Sequence, residues 1–202
     1  MQDVKPLIAI LRGIRPHEAS AHVRVLIGEG FRYLEIPLNS PDWQTSIPQM
    51  VASYGSQAMI GGGTVLTVEQ VDFLARSGAK LVVTPNTQPR VIARAVEAGM
   101  LVCAGCATAS EAFNALEAGA RWLKIFPSSA FGPQYIAALK AVLPPSVPVL
   151  AVGGVTPDNL RDWLRAGCAG AGLGSDLYRA GQTVERTRRQ ARRFIAAREA
   201  LL

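Results

Sequence analysis

Residues Ala98 to Phe126 read AGMLVCAGCATASEAFNALEAGARWLKIF. Met100 to Cys103 is a short apolar run of strand type. Ser110-Glu111 marks a helix start, and the Ala, Phe and Leu side chains after it recur with helical spacing. Ala118-Gly119 stops that helix, because glycine tolerates the left-handed backbone that ends one. Trp122 to Phe126, the next apolar run, begins at once. One strand, one helix and one glycine stop form a unit.

The unit repeats in both directions. Further apolar runs lie at Leu7 to Leu11, Tyr33 to Ile36, Ala58 to Ile60, Leu81 to Val83, Val149 to Val152 and Gly170 to Leu173, with starts about 20 to 27 residues apart. Arg15-Pro16-His17-Glu18, Thr67-Val68-Glu69-Gln70 and Thr156-Pro157-Asp158-Asn159 open helical stretches, and Glu29-Gly30, Ser77-Gly78, Ala98-Gly99 and Ala166-Gly167 close them. Alternation of this kind calls for parallel strands joined by right-handed crossovers. Eight units predict an α/β protein, a closed (β/α)₈ or TIM barrel, with a doubly wound open sheet as the alternative. A length of 202 residues is near the lower end for such a barrel, and 49% hydrophobic content suffices for one core. No linker or low-complexity stretch interrupts the chain, so residues 1–202 are read as a single barrel domain.

In a barrel of this type the active site is built at the C-terminal ends of the strands and in the loops that follow them. Lysine is scarce there and elsewhere: Lys5, Lys80, Lys124 and Lys140 stand against 17 arginines. Only Lys124 lies inside an apolar run, Trp122-Leu123-Lys124-Ile125-Phe126-Pro127. Burial disfavours its ammonium form, and a neutral amine is a nucleophile toward a ketone. Pairing with a buried carboxylate would also explain it. Glu35, at the end of Tyr33-Leu34-Glu35, is the other charged residue in a strand. It suits either that ion pair or general acid/base work with a raised pKa.

Arg12 closes the first run, where its guanidinium fork fits a carboxylate or phosphate, or a salt bridge to Glu35. Gly153-Gly154 after the seventh run and Gly172-Leu173-Gly174-Ser175 at the end of the eighth fall where barrels bind phosphate through close-approaching backbone N–H groups. Gly61-Gly62-Gly63-Thr64, read as following the third strand, and Thr84-Pro85-Asn86 after the fourth offer small, polar strand ends suited to a carboxylate, although turn geometry would also account for them.

Other classes fit less well. The net charge of +6 and a pI near 9.7 come with Arg186, Arg188, Arg189, Arg192, Arg193 and Arg198 crowded into the last helix. Only Phe194 interleaves with them, so a solvated helix face accounts for them better than nucleic-acid binding does. His17 and His22, the only histidines, point about 140° apart on one helix, which argues against a metal site. Cys103 and Cys106 are half a zinc site and are read as packing residues. Met1-Gln2-Asp3-Val4-Lys5 has no signal-peptide pattern and no run reaches membrane-spanning length, so a cytoplasmic protein with no membrane partner is expected.

Seven stretches together resemble the family of 2-keto-3-deoxy-6-phosphogluconate and 2-keto-3-deoxy-6-phosphogalactonate aldolases, over nearly the whole chain. They are PLIAILRGI (Pro6 to Ile14), EIPLNSP (Glu35 to Pro41), GGGTVL (Gly61 to Leu66), VTPN (Val83 to Asn86), LKIFPSSAFGPQYI (Leu123 to Ile136), AVGGVTPDNL (Ala151 to Leu160) and GAGLGSDLYRAGQ (Gly170 to Gln182). The resemblance implies that Lys124 forms a Schiff base, Glu35 donates and accepts protons, Arg12 and Thr64 bind the pyruvoyl end, and Phe126 packs beside the imine. It also implies that Gly153, Gly154, Gly174 and Ser175 bind phosphate. The gluconate branch usually has arginine where this chain has Asn39 and threonine where it has Val152, so the galactonate branch is the nearer one. The implied reaction is reversible cleavage of the phosphorylated keto acid to pyruvate and glyceraldehyde 3-phosphate by a homotrimer, with no metal or organic cofactor. The rival enzyme class is a phosphate-binding barrel isomerase or epimerase, which would use the glycine loops without an imine.

Overall fold

The structure, a computed structural model, describes residues 5–200; the reading of Met1 to Val4 as a lead-in to the first strand lies outside them. Eight strands alternate with eight helices: β1 (Leu7–Ile10), α1 (Pro16–Gly28), β2 (Tyr33–Pro37), α2 (Trp43–Tyr54), β3 (Met59–Gly63), α3 (Val68–Arg76), β4 (Leu81–Val83), α4 (Pro89–Glu97), β5 (Leu101–Cys106), α5 (Ala109–Glu117), β6 (Trp122–Ile125), α6 (Ser128–Lys140), β7 (Val149–Val152), α7 (Leu160–Arg165), β8 (Gly170–Leu173) and α8 (Val184–Glu199). All neighbouring strands pair in parallel, and β8 returns to β1, closing the barrel. The closed (β/α)₈ expectation holds, and the open sheet is excluded.

The two-residue period of the strands sorts the core into two compartments. Residues of one parity, such as Leu7 and Ala9, Leu34 and Ile36, or Leu123 and Ile125, join the large apolar cluster between sheet and helices. The other parity fills the barrel axis with Ile8, Leu81, Val83, Cys103, Trp122 and Leu150, against which Tyr33, Met59 and Leu101 pack. Further along the strands the same parity reads Glu35, Gly63, Gly105, Lys124, Val152 and Gly172. Large side chains thus plug the N-terminal half of the barrel, while glycines leave the C-terminal half open.

Several element ends differ from the sequence reading. Gly61, Gly62 and Gly63 belong to β3 and pair with Leu81, Val82 and Val83 of β4. Glycine usually weakens a strand, but here a Cβ on Gly61 would collide with the Leu81 carbonyl, so the tight spacing admits no other residue. Glu35 sits in the middle of β2, two residues before its end. Arg12 follows β1, and Phe126 follows β6. Helix α5 is capped by Thr108, whose hydroxyl accepts from the Glu111 N–H, and α7 begins only after Asn159. The Thr67–Gln70 capping box on α3 forms as read.

Candidate active site

A cavity of about 400 Å³ opens at the C-terminal ends of the strands. Strand parity delivers Lys124 from β6 and Glu35 from β2, on opposite sides of the axis. Both are buried, with relative exposures of 6% and 2%. In register, Lys124 stands between Gly105 of β5 and Leu150 of β7, and Glu35 between Ile10 of β1 and Gly61 of β3.

Burial dominates the electrostatics of both groups. It pushes the Glu35 carboxyl up to about 7, against the opposing pull of the Lys124 and Arg12 charges. It also lowers the pKa of the Lys124 ammonium, an effect that Glu35 and Cys103 oppose and Arg12 reinforces. Glu35 Oε2 is buried without a hydrogen-bond partner, and the salt bridges among the described residues include neither Lys124–Glu35 nor Arg12–Glu35. The ion-pair readings of these residues therefore lose ground. An amine whose charged form is disfavoured and a carboxyl that titrates near 7, lining one cavity, suit proton exchange with a molecule bound there. The Phe126 ring covers one side of the amine, its centroid 4.9 Å from Nζ.

Room for Glu35 comes from the glycine triplet. A Cβ on Gly63 would fall on the Glu35 carboxylate. Thr64, the next residue, lines the cavity with φ of 55°, a left-handed backbone that a β-branched residue adopts only under strain. Pro85, beyond β4, forms the neighbouring wall. Arg12 reaches the cavity from the β1 loop, where its Nη1 donates to Asn39 Oδ1 at 2.7 Å. The same loop is tied down by the Gly13 N–H, which donates to Ser40 Oγ at 2.9 Å.

On the β7 and β8 side the wall is mainly backbone. Gly153 and Gly154 line it with φ of 97° and 75°, values open to glycine without strain. Gly174 and Ser175 adjoin them from the β8 loop. Ser128, fully buried, fixes this corner: its hydroxyl donates to the Ile125 carbonyl at 2.8 Å and accepts from the Val152 N–H at 3.0 Å. The strand bearing Lys124 is thereby joined to the one that leads into the glycine pair. Val152 is accommodated because residue 172 is glycine; a Cβ there would lie 2.8 Å from Val152 Cγ2.

Eleven of the residues named from the sequence line this one cavity, whereas Thr84, Asn86 and Gly172 are not among its lining residues; Ile10, Val155 and Asp176, which sequence reasoning did not single out, complete it. Ile10 was accessible from parity, being two residues beyond the axial Ile8. Asp176 directly follows Ser175 in the β8 loop, and its charge beside that glycine turn is the sequence signal that marks it.

The remaining motifs lie elsewhere. His22 is buried against α8, with Nδ1 2.8 Å from Thr187 Oγ1, and burial lowers its pKa. Cys103 and Cys106 are free thiols on opposite faces of β5, both pushed up to about 12 by burial, which favours the thiol over the thiolate form. Four of the α8 arginines meet surface acids: Arg188 and Arg192 pair with Glu29, Arg193 with Asp158 and Arg198 with Glu199. Among the described residues no helix is long and apolar enough to cross a membrane.

Comparison with known proteins adds four findings. The family model described as KDPG and KHG aldolase matches residues 2–190. The chain is 68% identical over 201 residues to the 2-dehydro-3-deoxy-6-phosphogalactonate aldolase of Escherichia coli (strain K12), covering 99% of this chain and 98% of that one. It is 46% identical over 197 residues to a probable 2-dehydro-3-deoxy-6-phosphogalactonate aldolase of Rhizobium meliloti (strain 1021), covering 98% and 93%. A solved structure described as native KDPGal matches with a TM-score of 0.97 at 67% identity, covering 100% of this chain and 98% of the other.

Proposed function

The chain belongs to the KDPG and KHG aldolase family, and we propose how its residues carry the reversible, Schiff-base cleavage of 2-dehydro-3-deoxy-6-phosphogalactonate to pyruvate and D-glyceraldehyde 3-phosphate. The observation that carries the proposal is the buried Lys124 amine facing the buried Glu35 acid across one cavity with a glycine-lined far wall. Neutral Lys124 adds to the C2 ketone, and Glu35 in its acid form protonates the departing hydroxyl, releasing water and leaving an iminium ion. The Glu35 carboxylate so formed takes the proton of the C4 hydroxyl. The C3–C4 bond then breaks, its electron pair flows to the iminium nitrogen, and the aldehyde phosphate departs. Protonation of the enamine at C3 and attack by water return pyruvate and the free amine.

Substrate binding follows from the charges. Arg12 and the Thr64 hydroxyl hold the carboxylate, and Pro85 forms the wall beside it. Backbone N–H groups at Gly153, Gly154 and Gly174, with the Ser175 hydroxyl, hold the phosphate. Val152 presents methyl groups to the middle of the substrate, which favours the galacto over the gluco configuration at the carbon whose hydroxyl would otherwise need a polar partner. No step calls on a metal or organic cofactor. Residues 1–202 act as one domain, and the family resemblance supports a cytoplasmic homotrimer that binds neither nucleic acid nor membrane. Sedimentation equilibrium tests the oligomer against the 21.5 kDa chain mass.

Pyruvate release from the galacto and gluco substrates, coupled to NADH oxidation by lactate dehydrogenase, tests the reading. The galacto substrate is expected to be preferred, and Lys124→Arg to abolish release from either. Pyruvate release retained in Lys124→Arg, whose guanidinium forms no such imine, would contradict the Schiff-base reading, and a parent protein that releases no pyruvate from either substrate would favour an isomerase.

A further inference from the structure

Six polar side chains line the cavity: Arg12, Glu35, Thr64, Lys124, Ser175 and Asp176. Five have tasks in the mechanism above, and Asp176 has none. Its place is well fixed. Asp176 is half-buried, its carbonyl accepts from Gln190 Nε2 at 2.7 Å, and the N–H groups of Leu177 and Tyr178 each reach the Gly174 carbonyl at 2.9 Å. Among the described residues no donor or cation contacts its carboxylate, and the residue itself lines the cavity.

An ionised carboxylate only accepts hydrogen bonds. The substrate's carboxylate and phosphate are acceptors too, and its ketone is consumed by Lys124. Only the hydroxyls at C4 and C5 can donate. The C4 hydroxyl surrenders its proton during cleavage and so belongs with Glu35. C5 adjoins the carbon bearing the phosphate, just as Asp176 adjoins Ser175 of the phosphate cradle. Resting on the aldolase reading above, we infer that Asp176 accepts a hydrogen bond from the C5 hydroxyl and selects aldehyde phosphates that carry a hydroxyl next to the carbonyl. Asp176 is then a specificity-determining residue: it offsets its repulsion of the nearby phosphate only when that hydroxyl is present.

The test runs the full chain in the aldol direction, with saturating pyruvate and either D-glyceraldehyde 3-phosphate or 3-oxopropyl phosphate, which lacks the hydroxyl. Asp176→Ala is expected to lower kcat/KM for glyceraldehyde 3-phosphate by on the order of ten- to a hundredfold and to move the value for 3-oxopropyl phosphate by less than about threefold. Asp176→Asn keeps an acceptor oxygen and falls between. If both aldehydes shift by one common factor, in either direction, the carboxylate reads only the phosphate or the fold and the inference is overturned. Exchange of the pyruvate methyl protons for deuterium needs no aldehyde. Variants that exchange like the parent have an intact imine site, which makes the aldehyde ratio a statement about specificity. A parent protein that exchanges no protons overturns the aldolase reading itself, and this inference with it.

Discussion

Substituting Gly63 by alanine adds one methyl group where the structure has no room for it. The added Cβ would lie closer than 3.0 Å to Oε1, Oε2 and Cδ of Glu35 at once, and ordinary contact begins near 3.4 Å. The carboxylate must therefore retreat by more than about 1 Å, a displacement that costs on the order of a hundredfold in rate when it affects a group aligned with the reacting atoms. Glu35 is 2% exposed, so displacing its buried carboxylate from the place it fits strains the site by about 1–3 kcal/mol. The backbone is not the obstacle, since Gly63 is absent from the positive-φ glycines. In a Glu35→Ala background the clash disappears, and Gly63→Ala becomes neutral or stabilises by up to about 1 kcal/mol through the unfolded chain. Four proteins, the parent, the two single variants and the double, are compared by urea denaturation and by coupled pyruvate release. The expected result is a sign change in the stability effect of Gly63→Ala between the two backgrounds, with kcat down about a hundredfold in the single variant. Equal stability effects in both backgrounds, with kcat retained, would refute the argument that residue 63 is glycine for the sake of Glu35.

Two further outcomes follow from strain and from burial. Thr64→Gly relaxes a left-handed threonine at φ of 55° and should raise the melting temperature by about 2–4 °C per kcal/mol released, while raising KM for pyruvate about tenfold; calorimetry and kinetics together check it, and a lower melting temperature would count against the strain. Because the Glu35 pKa is raised from 4.5 to about 7, folding is undisturbed by this group below pH 4.5 and progressively loses stability as the pH rises through 7, by about 3 kcal/mol in all. Stability of Glu35→Gln minus that of the parent, measured from pH 4 to pH 8, should grow by that order across the window; a flat difference would mean that Glu35 ionises freely in the folded state.

Much of this molecule was legible in its residues because two periodicities coincide. The recurrence of an apolar run, a helical stretch and a glycine stop fixes the barrel, and the barrel fixes where chemistry must be. Lys124 stood out because a lysine within Trp122-Leu123-Lys124-Ile125 has no solvent to reach, and the structure buries it. Element ends were harder. The glycine triplet was read as a loop since glycine is a poor strand former, whereas tight packing against β4 and the Glu35 carboxylate demands glycine there. Asp176 is harder to place from sequence because its position depends on which way a loop turns, and that loop is held by distant contacts such as Gln190 on α8. The Ser128 bridge between Ile125 and Val152 was equally invisible, joining residues brought together only by the closed sheet.

The central claim is that Lys124 forms the imine, and trapping tests it most directly. The protein is incubated with pyruvate and sodium borohydride, digested, and its peptides weighed. One reduced pyruvate adduct on the peptide containing Lys124, absent without pyruvate and lost in Lys124→Arg, is the expected result. A folded, active protein that yields no adduct, or one that carries it on Lys5, Lys80 or Lys140, would contradict the account.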